Sequence, residues 1–187
     1  MSPLEVWLLA AALHFAPPER HRQFPGHEET LEQARVRYAS IAHDIAEAVA
    51  TKFDEKSMGA LTLAYAIGES DLYKDADEGP CFREGAYKTR CDGAAAAGIW
   101  QTHEYMDRSG PEPERVTVAM IFADRARSAR FVVRMLSRAL KSCPRLALED
   151  RLSIFGLGHC VAGDPRVRAR YELWMRVRLW QPPKDPQ

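Results

Sequence analysis

The sequence has no surplus of either charge: 26 basic and 26 acidic side chains give a formal net charge of zero. That balance excludes a global basic footprint for nucleic acid and a strong steering field for any polyanion. Cysteine is scarce, with four residues in 187, and no two form a CxxC pair, so the common zinc and redox spacings are missing. The six histidines, among them His43, His103 and His159, form no HExxH or similar ligand spacing. No Gly-rich phosphate loop and no Gly-x-Ser-x-Gly elbow occurs. Neither a metal nor a cofactor is therefore expected. The apolar run at the start, Leu4 to Ala16, is too short to span a bilayer, so stable membrane insertion is not expected either. Nowhere does a strand-like alternation of apolar and polar residues persist, and there are no internal repeats.

What is present points to one all-α domain. Hydrophobic residues make up 46% of the chain, enough to fill a core at this length. Leu31, Ala34, Tyr38, Ile41, Ile45, Ala48, Val49 and Phe53 recur at spacings of three and four, the stripe of an amphipathic helix. Glu28, Glu29 and Glu32 fall in its first turns, where the macrodipole favours acids. Ser57 is a suitable N-cap for a second helix, about Met58 to Gly68, that is apolar nearly all round and so expected at the centre. From Tyr73 to Ala97 the pattern breaks down into a long irregular segment. Helical spacing resumes near Glu112 or Glu114 and runs to about Lys141, with Arg125 among its inner-face positions, and Pro144 ends it. Two further helices are expected, about Leu148 to Leu157 and, capped by Asp164 with Pro165, to about Trp180. The last carries Arg166, Arg168, Arg170, Arg176 and Arg178 interleaved with Val167, Tyr171, Trp174 and Val177. That pattern suits a solvated face opposite a core stripe, or a basic face that holds an anionic wall.

Residues 28–180 thus form the expected domain. Residues 1–27 are an apolar segment followed by a proline-rich linker, and 181–187 are a disordered tail with three prolines. The apolar segment is either a weak signal-like stretch, lacking a basic residue before it and interrupted by Glu5, or a short packing helix. Four cysteines allow three complete pairings. The local one, Cys81 with Cys91 and Cys143 with Cys160, closes short loops with the least reorganisation. Such bridges would place the protein in the periplasm, the cell exterior or on a virion. The opposing reading is four reduced, partly buried thiols.

Glu69 ends the apolar second helix. A carboxylate there meets the negative end of the helix dipole in apolar surroundings, and both disfavour the charged form. A Glu that keeps its proton near neutral pH is what a glycosidase uses to protonate a leaving glycosidic oxygen. The bland alternative is a solvated Glu that merely terminates a helix. Its neighbours favour the chemistry. Ala66-Ile67-Gly68-Glu69-Ser70 resembles the catalytic Glu-Ser step of soluble lytic transglycosylases and goose-type lysozymes. Ala97-Gly98-Ile99-Trp100-Gln101 resembles the Gly-Leu-Met-Gln box of the same family. Ile154-Phe155-Gly156-Leu157-Gly158-His159 stands where the family has Ala-Tyr-Asn-Ala-Gly. The resemblance covers about residues 57 to 163 and implies a lysozyme-like helical domain with a long disulfide-pinned loop.

The resemblance further implies cleavage of peptidoglycan glycan strands, between N-acetylmuramic acid and N-acetylglucosamine, with Glu69 as general acid. Ser70 would orient Glu69 or the substrate, Gly98 would let the backbone approach the sugar, and Gln101 would be a cleft residue. Trp100 is either core or a stacking surface for sugar. The step from Glu69 to Gly98 is longer than the family's, and the excess holds Cys81 and Cys91. The usual Tyr-Asn of the third motif is missing, with Phe155 and Gly156 near its place; His159 and Tyr105 are candidates to supply the lost polar groups. An inverting hydrolase also needs a second carboxylate roughly 6.5–9.5 Å away, for which Asp71, Asp75, Asp77 and Asp92 are candidates. Lytic transglycosylases do without one. The altered third motif leaves open a non-catalytic glycan-binding or structural module, as in a virion or secretion apparatus.

Overall fold

The computed structural model describes residues 1–21, 26, 28–78, 96–103 and 118–183, and about 70% of them are helical. The long helices are α1 (Pro3–Phe15), α2 (Leu31–Val49), α3 (Glu55–Ser70), α6 (Arg125–Lys141) and α9 (Pro165–Leu179). Short helical segments fill the joints: α4 (Lys74–Glu78), α5 (Val118–Ala123), α7 (Leu148–Arg151) and α8 (Ser153–Leu157). Two-residue strands, β1 (Ala96–Ala97) and β2 (Thr102–His103), pair antiparallel with Ala96 opposite His103. Among the described residues no helix is long and apolar enough to cross a membrane.

Helix α3 is the axis of the packing. Leu61, Leu63, Ala64, Tyr65 and Ala66 are buried on every side, because α1, α2, α6 and α9 all pack against it. Each large apolar side chain so buried contributes about 1.5–3 kcal/mol. Two indole N–H groups fasten neighbours to its backbone: Trp100 Nε1 donates to the Thr62 carbonyl at 3.0 Å and Trp174 Nε1 to the Ser57 carbonyl at 3.1 Å. Both rings bury their apolar bodies and keep the N–H satisfied, the condition under which tryptophan tolerates a core.

The helix ends are set by capping chemistry that differs in places from the expected boundaries. Asp54, not Ser57, caps α3: its carboxylate accepts the Ser57 N–H at 2.9 Å, one turn earlier than expected. The chain therefore leaves α2 after Val49, and Phe53, expected on the apolar stripe, is fully exposed. Asp124 likewise breaks the expected helix to Lys141, capping α6 by accepting the Arg127 N–H at 2.8 Å; residues 112–117 lie outside the described ones. The expected helix over Leu148–Leu157 is interrupted at buried Leu152. Both ends of the expected irregular segment are ordered, as α4 and β1. Thr30 begins α2 in a capping box with Gln33, so Glu29 precedes the cap. Its carboxylate forks onto Arg37, at 2.7 Å to Nε and 2.8 Å to Nη2.

The apolar N-terminal segment forms helix α1. Ser2 and Glu5 form its capping box, and Leu8, Ala11 and Ala12 enter the same core as α3. A disulfide joins Cys143 to Cys160, with Cα atoms 5.9 Å apart, and so ties the turn after α6 to the loop after α8. This bond is compatible with an oxidising compartment. Cys81 and Cys91 lie outside the described residues.

Candidate active site at the end of the central helix

The last turn of α3 is closed tightly. Ser70 Oγ donates back to the Ala66 carbonyl at 2.9 Å, and the Asp71 N–H bonds the Ile67 carbonyl at 2.7 Å. Asp71 and Leu72 then both take the left-handed conformation, with φ of 51° and 55°. That region disfavours a branched side chain such as leucine. Leu72 is held there by complete burial and by Arg37, whose Nη1 donates to its carbonyl at 2.9 Å. The reversal leaves Glu69 at the rim of the core, its side chain 27% exposed.

Glu69 lines a cavity of about 130 Å³ with Tyr65, Gly156, Leu157, Arg166, Val167 and Arg170. The first and third sequence motifs therefore meet in space. Tyr65, one helical turn before Glu69, is almost wholly buried, stacks edge-on against Phe155 at 4.8 Å and reaches the Leu152 carbonyl at 3.5 Å. Burial pushes its phenol well above the ordinary value, and the nearby negative Glu69 adds to the shift. It keeps its proton at any physiological pH. A tyrosine thus does border the cavity, but it comes from α3 rather than from the third motif.

The principal partner of Glu69 is Arg170, whose Nε donates to Oε1 at 2.9 Å. A hypothetical Cβ on Gly68 would lie 2.6 Å from Cδ and Nε of Arg170. The arginine stem therefore lies directly on the α3 backbone, and glycine at position 68 leaves the room. Sequence reasoning placed Arg170 on a generic basic face. The available signal was its position: Val167, Arg170, Trp174 and Val177 are spaced three, four and three, so Arg170 occupies a place in the buried stripe. Helix-interior Gly68 was the matching signal on α3, since such a glycine marks close approach.

The remaining candidates divide among structural roles. Trp100 is core, 1% exposed and bonded to α3, so the sugar-stacking reading does not hold for this ring. Gly98 has φ of +68°, and a Cβ there would meet Ile121 Cγ2 at 2.8 Å; its need for glycine comes from the turn and that contact. Gln101, itself at φ 46°, closes the same turn through its side-chain amide, which donates to the Gly98 carbonyl at 2.9 Å. Neither lines the Glu69 cavity. His159 is exposed, with Nδ1 2.8 Å from the Leu157 carbonyl. Tyr105 and Asp92 lie outside the described residues.

The described acids are engaged elsewhere. Asp77 is clamped between Arg125, at 2.6 Å, and Arg37, at 3.7 Å, and Arg125 also binds Asp44 at 2.6 Å and Ser40. Burial raises the Asp71 carboxyl above the ordinary value, and the proximity of His21 and Arg20 opposes that shift. Asp75 is buried within α4. A broader groove of about 670 Å³ runs beside the Arg37 and Arg125 network, lined by Glu29, Glu32 and Phe122 among others, and its central charges neutralise one another.

Among the described residues, Glu5 of α1 with His43 and Glu47 of α2 brings three potential ligand atoms within 4.8 Å of one another. His43 and Glu5 already hydrogen-bond each other at 3.2 Å, which accounts for their proximity. Compared with protein-family models, curated proteins and solved structures, the chain finds no match.

Proposed function

We propose that the protein is a lysozyme-like peptidoglycan-cleaving enzyme in which Glu69 protonates the glycosidic oxygen between N-acetylmuramic acid and N-acetylglucosamine. The observation that carries this reading is the shared cavity: Glu69, at the end of the central helix, meets Gly156 and Leu157 of the third motif, which lie far away in sequence. A rigid, buried helix is the kind of support a general acid needs, because its position is set by packing rather than by a loop. The end of α8 and the first turns of α9 form the facing wall, and Gly156, exposed and without a side chain, keeps that wall open to a sugar. The periplasm, the cell exterior or a virion are the places where such an enzyme meets its substrate, and the Cys143–Cys160 bond suits all three.

A second reading, a glycan-binding module without catalysis, is favoured by one observation: the Glu69 carboxylate is taken up by Arg170. A general acid must turn a proton toward the leaving oxygen, so this pair has to open before the chemistry.

Digestion of purified peptidoglycan separates the two. Glu69→Gln is nearly isosteric, and retained helical circular dichroism with at least a hundredfold loss of muropeptide release is the expected result, in line with removal of a general acid. Mass analysis of the products assigns the chemistry, with anhydromuramoyl ends marking transglycosylation and reducing ends marking hydrolysis. Full release by Glu69→Gln would remove Glu69 from the mechanism. Binding without release by the wild type would establish the module.

A further inference from the structure

Arg170 is an arginine set into an apolar stripe, with its stem on Gly68 and only one of its donors used. Nε bonds Glu69, and among the described residues no protein group accepts from Nη1 or Nη2. A guanidinium recognises a carboxylate through two parallel N–H groups, and Arg170, which lines the cavity, keeps its Nη1–Nη2 edge uncommitted. Arg166, one turn earlier on α9, lines the same cavity; it is largely exposed, and its Nε and Nη2 pair with Asp164 at 3.3 and 3.0 Å. Two guanidiniums and one carboxylate line this small space, and the Asp164 carboxylate paired with Arg166 balances the second guanidinium. The rest of its lining is Tyr65, Val167 and the Gly156–Leu157 segment, none of which is ionised.

We propose that Arg170, assisted by Arg166, is a binding site for a carboxylate carried by the glycan, and that its occupation frees Glu69. The inference rests on the reading of Glu69 as the residue that faces the sugar. Arg170 holds the Glu69 carboxylate at 2.9 Å. When a substrate carboxylate takes the Nη1–Nη2 edge, the guanidinium turns toward it, and Glu69 is released to the glycosidic oxygen. A neutral glycan has no group to draw Arg170 away. Muramic acid strands differ from chitin in this respect, since they bear carboxylates either on the lactyl ether, when it is unsubstituted, or on the peptide stem. Arg170 is therefore a specificity-determining residue, and Gly68 is what lets it lie between α9 and α3.

The test is calorimetric binding of three disaccharides that lack the scissile muramic–glucosamine linkage, alongside initial rates on strands. N-acetylglucosaminyl-N-acetylmuramic acid presents the lactyl carboxylate, the same sugar with its peptide presents stem carboxylates only, and chitobiose presents none. The wild type should bind one of the acidic ligands at least tenfold more tightly than chitobiose, and the preferred one identifies the source. Arg170→Gln should lose that preference, with a rise of roughly tenfold or more in Kd for the acidic ligand and little change for chitobiose, as expected for one charged hydrogen-bonded pair. Gly68→Ala keeps every charge and displaces the Arg170 stem; it should reproduce the lost preference even if Arg170→Gln does not fold. Equal affinity of the wild type for all three ligands, or an acid preference intact in both variants, overturns the site. Strand cleavage with no Arg170-dependent preference leaves the activity standing and refutes the site. Arg170-dependent binding without cleavage does the reverse.

Discussion

His21 shows how a residue in the linker acquires a titration behaviour from its neighbours. Its ring packs against Tyr73 at 4.5 Å, and its Nε2 lies 3.3 Å from the Tyr38 hydroxyl, which donates to the Ala16 carbonyl. Burial lowers its pKa; Asp71 and Glu29 oppose that shift, and Arg37 reinforces it. The folded protein thus binds fewer protons at His21 than the unfolded chain does, in the window below the ordinary histidine value of about 6.5. Stability contributed by neutral His21 is present above that value and is lost as pH falls through the window. Melting curves from pH 7.5 to 5.5 should show a steeper fall for the wild type than for His21→Gln, and parallel curves would rule the effect out. None of this was visible in the sequence, where His21 sits among prolines and charges. Glu69 was visible, because its place at the end of an apolar helix is a local property. Arg170 was not recognised, since its partner is 101 residues away.

At the scale of elements, helix existence followed from periodicity and helix ends followed from caps. The two aspartates that begin α3 and α6 compete with helix propagation by offering their carboxylates to N–H groups three residues on, and so set helix starts that periodicity alone would place elsewhere. The third-motif loop is held by side chains with no motif signature. Ser153 Oγ accepts the Val161 N–H at 3.0 Å, and Asp150 accepts the Gly163 N–H at 2.8 Å. The Cys143–Cys160 bond closes a separation of 17 residues around it. A loop of that length confers about 3 kcal/mol through the restricted unfolded chain. Cys143→Ser should therefore lower the unfolding free energy in denaturant titrations by about 3 kcal/mol, and a change under about 0.5 kcal/mol would show that the side-chain bonds alone hold the loop.

For the molecule as a whole, the N-terminal helix decides where the cooperative unit begins. Leu8 is completely buried, Trp7 Nε1 donates to the Trp180 carbonyl at 3.3 Å, and His14 stacks on the Trp180 ring at 5.1 Å. The first and last helices thus close on each other. Leu8→Ala should cost about 2–5 kcal/mol and should move the tryptophan fluorescence and circular dichroism transitions together. A separate early fluorescence transition would mean that α1 unfolds independently. The sequence by itself determined that the protein is helical, that α3 is central and that a carboxylate ends it, because spacing, apolarity and capping act over a few residues. Only the tertiary structure decided that Trp100 is core, that the third motif faces Glu69 and that one arginine of five on α9 turns inward. Those outcomes depend on how α9 docks: Val167, Trp174 and Val177 bury against α3, and the docking carries Arg170 onto the one helical turn where Gly68 leaves space.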